Sequence, residues 1–459
     1  MEVREILREK GVVGAGGAGF PTYAKLKEEG IDYYIANGAE CEPLLDVSKE
    51  IMARFPDRVV KALSILKDFT GAKSAVIALK GKYKQAVKAL DAELLKTGLD
   101  IKLFEMGDFF PAGDEQVMVL EVTGKVVPEG GIPIAVGAVV NNIETLYNVY
   151  GAIEEDSPVI QKFITIGGQV KNPITLKVPV GTTIGWLLDF LGVDYKDKVI
   201  IDGGPMMGNI VDSNSPITKT TGGLLIFPKG HPAVSVKESD INRILKLARI
   251  ACIQCRYCTL QCPRYLLGHD LEPSKIMLSM GFKLSDRYIK QALLCCECGL
   301  CEAYSCPQRL SPRRVNIAIK KELAKAGFKY TTGKADFSPR EARQWRKIFT
   351  GRLKIRLQLM EFDRPALLVD GDFVKPPEVH IPMKQHIGAP AIPLVSSGDK
   401  VTKGQVIGRV PEDKLGCHVH ASIDGTVVYC DEQKIVIRGG MPNGKSYRSC
   451  GDHQYSSRY

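Results

Sequence analysis

The chain has 459 residues and a mass of 50.3 kDa, which at ~100–200 residues per domain predicts three to four folded units. With 44% hydrophobic and 25% charged residues, the composition excludes a disordered, collagen-like or coiled-coil chain, and the net charge of +10 is a moderate excess over a large surface. The longest nearly uncharged stretch, residues 130–143, is shorter than the ~20 apolar residues that span a bilayer. The N-terminus has no apolar segment behind its charges, so we expect a soluble, cytoplasmic protein with reduced cysteines.

The first segment, residues 1–155, alternates glycine-rich turns with strand and helix patterns, which predicts an α/β domain. Its loop Gly14–Gly19 matches the dinucleotide fingerprint G-x-G-x-x-G, but the preceding residues have the pattern of a charged helix and not of the required strand. The glycines instead permit close approach of a phosphate or a flat ring, with Phe20 able to stack and Lys25 able to meet a phosphate. A plain structural turn is the alternative.

Residues 160–232 follow with short strands, turn signals and one short helix, which predicts a small α+β unit. The cysteine region, residues 236–328, is flanked by helical patterns, and residues 329–374 form a basic linker. The densest run, Arg340–Arg356, has seven Lys or Arg against one Glu and predicts a solvated linker helix. Docking to an acidic partner is the alternative, whereas no recognition fold for nucleic acid accompanies the run. Residues 375–459 are rich in glycine and β-branched residues and predict a small all-β domain with a tail.

The cysteines carry the strongest signal, because nine of thirteen lie between Cys252 and Cys306. The first run is C-x2-C-x2-C-x3-C-P, the bacterial ferredoxin spacing for a [4Fe–4S] cluster, and the second run has one extra residue before its last cysteine. In two-cluster ferredoxins the fourth cysteine of each run ligates the other cluster. We therefore expect one cluster on Cys252, Cys255, Cys258 and Cys306, and a second on Cys295, Cys298, Cys301 and Cys262. Structural zinc is the alternative, but it needs neither the third cysteine of each run nor the Cys-Pro ending.

Four segments in chain order resemble the ligand-binding segments of the FMN- and NADH-binding subunit of respiratory complex I. They are GAGGAGFPTYAKL (14–26), ANGAECEPL (36–44), PAGDEQ (111–116) and VNNIETL (140–146), and they also resemble the C subunit of Rnf-type ferredoxin:NAD oxidoreductases. The resemblance implies a Rossmann-like FMN/NADH domain in which FMN is surrounded by Gly16, Gly17, Lys25, Asn37, Glu40, Cys41, Asn141, Asn142 and Thr145. It also implies that Phe20 stacks on the nicotinamide side, with Glu42 and Glu115 near the dinucleotide. Ala39 departs from the complex I pattern, which has an acid there, and Cys41 replaces a serine.

The resemblance extends over the rest of the chain. Residues 160–232 resemble a soluble-ligand-binding β-grasp (SLBB) domain, for which a spacer role is favoured over corrinoid contact, and residues 384–428 resemble a barrel-sandwich hybrid without the modifiable lysine of a carrier domain. In the Rnf C subunit this module precedes the flavin segments, whereas here it follows the cysteines. The permuted order is similar to that of the cobalamin reductases of bacterial 1,2-propanediol-utilisation microcompartments.

This resemblance implies an oxidoreductase in which NADH reduces FMN, and FMN passes single electrons through two [4Fe–4S] clusters to cobalamin as substrate. The implied partners are NADH, cobalamin or an adenosyltransferase that handles it, and a microcompartment shell protein, with a location inside or attached to the microcompartment. The histidines His386, His418 and His420 are expected to be structural and not corrinoid ligands. Two alternatives remain, an Rnf C-like electron-input subunit serving ferredoxin, flavodoxin or another protein, and a cluster scaffold with a vestigial flavin site.

Overall fold

The computed structural model describes residues 2–280, 286–369 and 371–440. The tail of the predicted last domain, with Cys450, lies outside the described residues. No helix within those ranges combines the length and the apolar character that a membrane span requires.

The helices are α1 (Val3–Glu9), α2 (Val47–Arg54), α3 (Pro56–Thr70), α4 (Lys84–Thr97), α5 (Glu115–Thr123), α6 (Ile143–Glu154), α7 (Ile184–Phe190), α8 (Pro232–Glu238), α9 (Ile241–Ala251), α10 (Tyr257–Leu260), α11 (Pro263–Leu266), α12 (Pro273–Ser279), α13 (Asp286–Lys290), α14 (Pro312–Lys325), α15 (Arg343–Arg346) and α16 (Thr350–Arg356). Short 3-10 turns cover Thr22–Lys25, Pro133–Val136, Gln291–Leu294 and Met360–Phe362, and Cys301–Ser305 forms a π turn.

The strands are β1 (Tyr33–Gly38), β2 (Ser74–Lys80), β3 (Ile101–Met106), β4 (Phe109–Phe110), β5 (Ala138–Asn142), β6 (Gln161–Gly168), β7 (Ile174–Pro179), β8 (Lys198–Asp202), β9 (Asn209–Val211), β10 (Gly223–Pro228), β11 (Ile348–Phe349), β12 (Leu368–Val369), β13 (Glu378–Pro382), β14 (Ile392–Pro393), β15 (Lys400–Val401), β16 (Val406–Arg409), β17 (Val419–His420), β18 (Gly425–Cys430) and β19 (Lys434–Arg438).

The first domain is built on a parallel sheet in the order β3-β2-β1-β5. Strands β1 and β2 are buried almost throughout, as expected for parallel strands covered by helices on both faces. Helices α2, α3, α4 and α6 pack their apolar residues into one core with this sheet. The glycine loop precedes β1 and follows α1, so the expected charged helix before the loop is confirmed.

The second unit has a six-stranded mixed sheet in the order β12-β7-β6-β10-β8-β9. Its first strand β6 pairs antiparallel with β7 and parallel with β10, while α7 crosses between β7 and β8. Lys162 on β6 and Glu144 on α6 form an ion pair between the first two units, and both side chains are almost fully buried. The sheet therefore has a fixed position beside the first domain.

The cysteine region is helical, with α9, α12 and α14 packed around a small core that includes Cys262, Cys295 and Cys306. In the all-β module that follows, the sheets β13-β19-β18-β15 and β14-β16-β17 enclose one apolar core. This module packs on the first domain, where Arg8 donates hydrogen bonds to the carbonyls of Pro411 (2.7 Å) and Glu412 (3.1 Å).

The basic run at residues 340–356 is not the solvated helix that its charge pattern predicts. Its Ile348–Phe349 strand pairs with β4, and Leu353 on the following short helix is fully buried. Two of its cations are paired, because Arg343 and Lys347 both form ion pairs with Glu121 of α5. The segment therefore packs on the first domain through a residue that lies more than 200 positions earlier in the chain.

Candidate functional site

The four segments that resemble a flavin site meet at the carboxyl edge of the parallel sheet. Asn37 at the end of β1 lies in register beside Asn142 at the end of β5. Asn37 donates to the carbonyl of Gly113 (2.8 Å), and Thr145 accepts from the Ala15 amide of the glycine loop (3.0 Å). The carboxyl edge of an open α/β sheet is where such folds bind ligands.

The glycine loop leaves the space that a ligand needs. Gly16, Gly17 and Ala18 are exposed, and a Cβ on Gly17 would meet no atom within 4 Å. A Cβ on Gly16, in contrast, would lie 2.6 Å from the Asn142 amide nitrogen, so glycine is required there. An open glycine surface beside amide donors fits the phosphate and ring edges of a flavin nucleotide.

Lys25 supplies the cation of this edge. Its ammonium donates to Glu115 (2.9 Å) and to the carbonyl of Val140 (3.0 Å), which places it between the third and fourth segments. Lys25, which is expected beside FMN, and Glu115, which is expected near the dinucleotide, thus form an ion pair in the structure. Asn141 is turned away into the core, where it donates to the Tyr34 hydroxyl (2.7 Å), and Phe20 is half-buried at the end of the loop.

Glu42, which is expected near the dinucleotide, makes contacts with the second unit. Its two carboxylate oxygens accept hydrogen bonds from the backbone amides of Met206 (3.0 Å) and Met207 (2.7 Å) in the second unit. A Cβ on Gly204 would lie 2.0 Å from the Glu42 carboxylate, so that glycine is needed for this approach. Glu42 thus joins two domains in this structure, and its expected position near the dinucleotide stays a prediction.

Glu40 and Cys41 follow the end of β1 at the carboxyl edge, where they line a surface cavity together with Glu42. Glu40 accepts from the Ser48 hydroxyl (3.0 Å), and burial raises the pKa of its carboxyl to about 7. Burial also raises the pKa of the Cys41 thiol to about 12, so this side chain is neutral. A Cβ on Gly113 would lie 3.2 Å from the Cys41 sulfur, and this close packing joins the second and third segments.

A contact that the sequence does not reveal joins the flavin edge to the cysteine region. Asp114 caps α5 through the amides of Gln116 and Val117, and it also binds Arg264 in a two-bond pair (2.6 and 2.9 Å). Arg264 follows Cys262 by two residues, on α11. The only hints in the sequence are the helix-capping position of Asp114 and the charge of Arg264 beside the Cys-Pro ending, and neither indicates a pairing over 150 residues.

The eight cysteines of the two runs line two separate cavities. Cys252, Cys255, Cys258 and Cys306 line the first cavity, and Cys262, Cys295, Cys298 and Cys301 line the second. Each cavity thus has three cysteines of one run and the fourth of the other, which is the grouping that crossed ligation requires. Burial raises the pKa of the Cys258 thiol to about 12, so a bound metal is needed to hold it as a thiolate.

Both cysteine loops have the same backbone. Gln254 and Glu297 precede the second cysteine of their loops with φ of 55° and 59°, and Arg256 and Gly299 follow it with φ of 63° and 81°. These left-handed residues turn three thiols of each loop toward one cavity.

The linings of the two cavities differ. The second cavity includes Arg313 and Asn316 of α14 and also Cys296, and it lies on the side of Arg264. Asn316 is 1% exposed, lines this cavity together with Cys295, and has no hydrogen-bond partner for either atom of its amide among the described residues. The first cavity faces outward, where the apolar side chains of Ile253 and Tyr257 are 59% and 50% exposed. The second cavity is therefore the one beside the flavin edge.

Three histidines of the all-β module, His386, His418 and His420, lie against the glycine loop and its neighbours. His386 accepts from the Cys417 amide (3.1 Å), and His418 accepts weakly from the Val410 amide (3.4 Å). His420 is 4% exposed, and burial is the main cause that lowers its pKa to about 3. Cys417 is buried beside the Val12 carbonyl, so these groups contribute to packing between module and domain.

Three family models match the chain in separate regions. The Nuo51 FMN-binding domain matches residues 7–151, a 4Fe-4S dicluster domain matches residues 251–311, and the RnfC barrel sandwich hybrid domain matches residues 371–443. The chain is thus a multidomain α/β protein with an FMN-binding domain, a dicluster domain and a barrel-sandwich hybrid, as the motifs indicated.

Curated relatives match over nearly the whole length. Cobalamin reductase PduS of Citrobacter freundii is 40% identical over 95% of this chain and 96% of that protein, and PduS of Salmonella typhimurium is 40% identical over 95% and 97%. The C subunit of a proton-translocating ferredoxin:NAD(+) oxidoreductase complex of Clostridium ljungdahlii is 34% identical over 58% of this chain and 56% of its own.

Among solved structures, an NAD+-reducing [NiFe]-hydrogenase in the H2-reduced state shares the fold, with a TM-score of 0.50 and 18% identity over 70% of this chain and 62% of the other. The 40% identity to the two PduS proteins extends over nearly the full length of the chain, and this match establishes the family. The chain belongs to the family of cobalamin reductases PduS.

Proposed function

We propose that this protein is an NADH-dependent reductase that passes electrons through FMN and two [4Fe–4S] clusters to cobalamin, reducing cob(III)alamin to cob(II)alamin. The observation that carries the proposal is the order of sites: the second cysteine cavity lies against the flavin edge through Asp114 and Arg264, and the first faces outward. FMN would supply the conversion of a two-electron hydride donor into single electrons. The names of the full-length relatives support cobalamin as the acceptor.

The residues of the flavin edge have separate roles in this proposal. Lys25 and the glycine loop at Gly16 and Gly17 would hold the FMN phosphate and ring edge, together with Asn37, Asn142 and Thr145. Glu115, as the partner of Lys25, would lie on the dinucleotide side with Phe20. Glu40 and Cys41 would face FMN from the cavity that they line, and Asn141 would support the edge from the core. Glu42 would fix the second unit beside the dinucleotide.

The second unit has the topology that an SLBB-type β-grasp would have, which supports that assignment. Its hairpin β6-β7 is followed by a helix, and the last strand β10 lies parallel to β6 in the centre of the sheet. The domain boundaries 1–155, 160–232, 236–328, 329–374 and 375–459 remain our proposed division. An adenosyltransferase and a microcompartment shell protein are the partners we propose, with the protein inside or attached to that compartment.

The proposal is tested by anaerobic stopped-flow spectroscopy of cluster-reconstituted protein. NADH should bleach the flavin and then the clusters, and added hydroxocobalamin should give the cob(II)alamin spectrum over many turnovers. Lys25→Ala should lose both steps, and Cys298→Ser should lose only the second. Lys27→Ala, at an exposed lysine just after this segment, is the matched control and should behave as wild type.

A second function is favoured by one observation. The outward side of the first cavity has the exposed apolar residues Ile250, Ile253 and Tyr257, a surface suited to a docked protein acceptor. The chain would then be an electron-input subunit serving ferredoxin, flavodoxin or another carrier. Bleaching of flavin and clusters by NADH with no cob(II)alamin would favour this second function and contradict the first.

A further inference from the structure

We propose that a surface cavity beside the first cysteine cavity is the cobalamin site, and that it receives one edge of the corrin ring. The cavity lies between the end of α8, the first turns of α9 and the loop 309–311. The inference rests on the proposed function, because it assumes that cobalamin is the electron acceptor. It adds the place where that acceptor binds.

The size and lining of the cavity suit such a ligand. Its volume is ≈ 470 Å³, within the range of small-molecule sites, and it opens to solvent, so a ligand larger than the cavity can enter by one edge. Glu238, Asp240, Arg243 and Arg309 bring charged donors and acceptors to its rim, and Leu247 brings apolar surface. The rim of a corrin carries neutral amides, which both donate and accept hydrogen bonds and can therefore bind the charged side chains of the lining. The ring also carries methyl groups, which can pack against Leu247.

The walls of the cavity are held in place by hydrogen bonds across elements. Arg314 of α14 donates to the carbonyls of Val236 (3.3 Å), Lys237 (2.9 Å) and Ser239 (3.1 Å), which fastens the turn between α8 and α9. Asp240 caps α9 by accepting from the Arg243 amide (3.0 Å). The cavity is therefore built before a ligand arrives, and binding would cost little ordering entropy.

The cavity is one residue away from a cysteine of the first set. Leu310 lines both this cavity and the one formed by Cys252, Cys255, Cys258 and Cys306. Its backbone amide also donates to the Cys306 sulfur (3.4 Å). Leu310 thus lies between that sulfur and a corrin edge in the cavity.

The electrons and atoms of the reaction at this site are balanced. One NADH gives up two electrons and becomes NAD+ with release of one proton. Two aquacob(III)alamin molecules take one electron each, in succession at the same site. Each becomes cob(II)alamin and loses its axial water, so no further oxidant or reductant is required.

The test measures binding separately from turnover. Aquacobalamin is titrated into cluster-loaded protein by equilibrium dialysis, and cob(II)alamin formation with NADH is followed in parallel. Leu247→Trp, at a side chain that is 36% exposed in the cavity wall, should weaken binding at least tenfold and slow cob(II)alamin formation accordingly. Its matched control is Lys246→Trp on the same helix, at a residue that is exposed and outside the cavity, and this variant should bind as wild type.

A second pair of variants guards against a local folding defect. Arg243→Ala should weaken binding, while Arg249→Ala on the same helix should not. Iron content and the EPR signals of both clusters must match wild type in every variant. Equal binding by Leu247→Trp and Lys246→Trp overturns the cavity assignment while leaving the proposed function standing. A wild-type protein that bleaches with NADH yet neither binds nor reduces aquacobalamin overturns the proposed function and the site with it.

Discussion

Replacing Arg264 by methionine should open the contact between the flavin edge and the dicluster region. The guanidinium makes two short bonds to Asp114, and both side chains are 14% exposed or less. Removing one member of a buried pair costs ~3–5 kcal/mol, because the other charge is left without its partner. The amides of Gln116 and Val117 still bind the Asp114 carboxylate, so we expect the lower end, about 3 kcal/mol. At about 1.4 kcal/mol per factor of ten, this corresponds to a roughly 100-fold increase in local opening.

Hydrogen exchange of the peptides around residues 111–124 and 261–267 measures this opening without requiring two-state unfolding of a multidomain chain. The double variant Asp114→Asn/Arg264→Met should exchange more slowly than Arg264→Met alone, because asparagine keeps the helix cap and removes the unpaired charge. Arg256→Met is the control, since its pair with Glu272 is long (3.5 Å) and exposed and is worth ~1 kcal/mol or less. Unchanged exchange in Arg264→Met, or no rescue in the double variant, would refute the reasoning.

The cluster and flavin sites lead to three further predictions. Cys306→Ser should alter the same EPR signal as Cys255→Ser, and Cys262→Ser the same signal as Cys298→Ser; pairing by run would show that the ligands are not crossed. Asn316→Leu should shift the midpoint potential of the second cluster to more negative values, because it removes an unpaired buried amide donor from the lining of that cavity; the first cluster should be unchanged in an EPR-monitored titration. Burial raises the pKa of Glu40 from 4.5 to about 7, so between these pH values the folded apo-protein holds a proton that the unfolded chain has released. The contribution of Glu40 to the free energy of unfolding is therefore fully present below pH 4.5, and about 3 kcal/mol of it is lost as the pH rises to 7. In thermal unfolding of the apo-protein, Glu40→Gln should make the stability fall less steeply between pH 4.5 and 7 than it does in wild type. The same pH dependence in both proteins would contradict the prediction.

The cysteine spacing predicted the dicluster region well, because the ligand order follows from cluster geometry and not from long-range packing. The grouping of Cys306 with the first run and Cys262 with the second is seen in the two cavities. The short motifs also indicated that the four flavin segments come together. The reason is that parallel strands place Asn37 and Asn142 side by side at one edge of the sheet. A local sequence pattern is sufficient to predict a site where the bound group itself determines the spacing of its ligands.

Residues whose partners are distant in sequence were not predictable in this way. Glu42 has the position of a ligand-binding acid within its motif, yet its partners are two amides 164 and 165 residues later. The run from Arg340 has the charge of a solvated helix, but an apolar strand and the buried Leu353 within it pair with surfaces that the charge pattern does not show. In both cases tertiary contact overrides the local pattern.

The packing of the all-β module on α1 bears on how this order of modules could arise. The carbonyls of Pro411 and Glu412 meet Arg8, and the His418 amide donates to the Arg8 carbonyl (3.2 Å). The contact joins surfaces and does not depend on which partner is translated first, so a chain that carried the module ahead of α1 could form the same interface with a short connection. A circular permutation between the two module orders would therefore conserve the packing of the domains and change only the linkers. Folded domains tolerate such permutations.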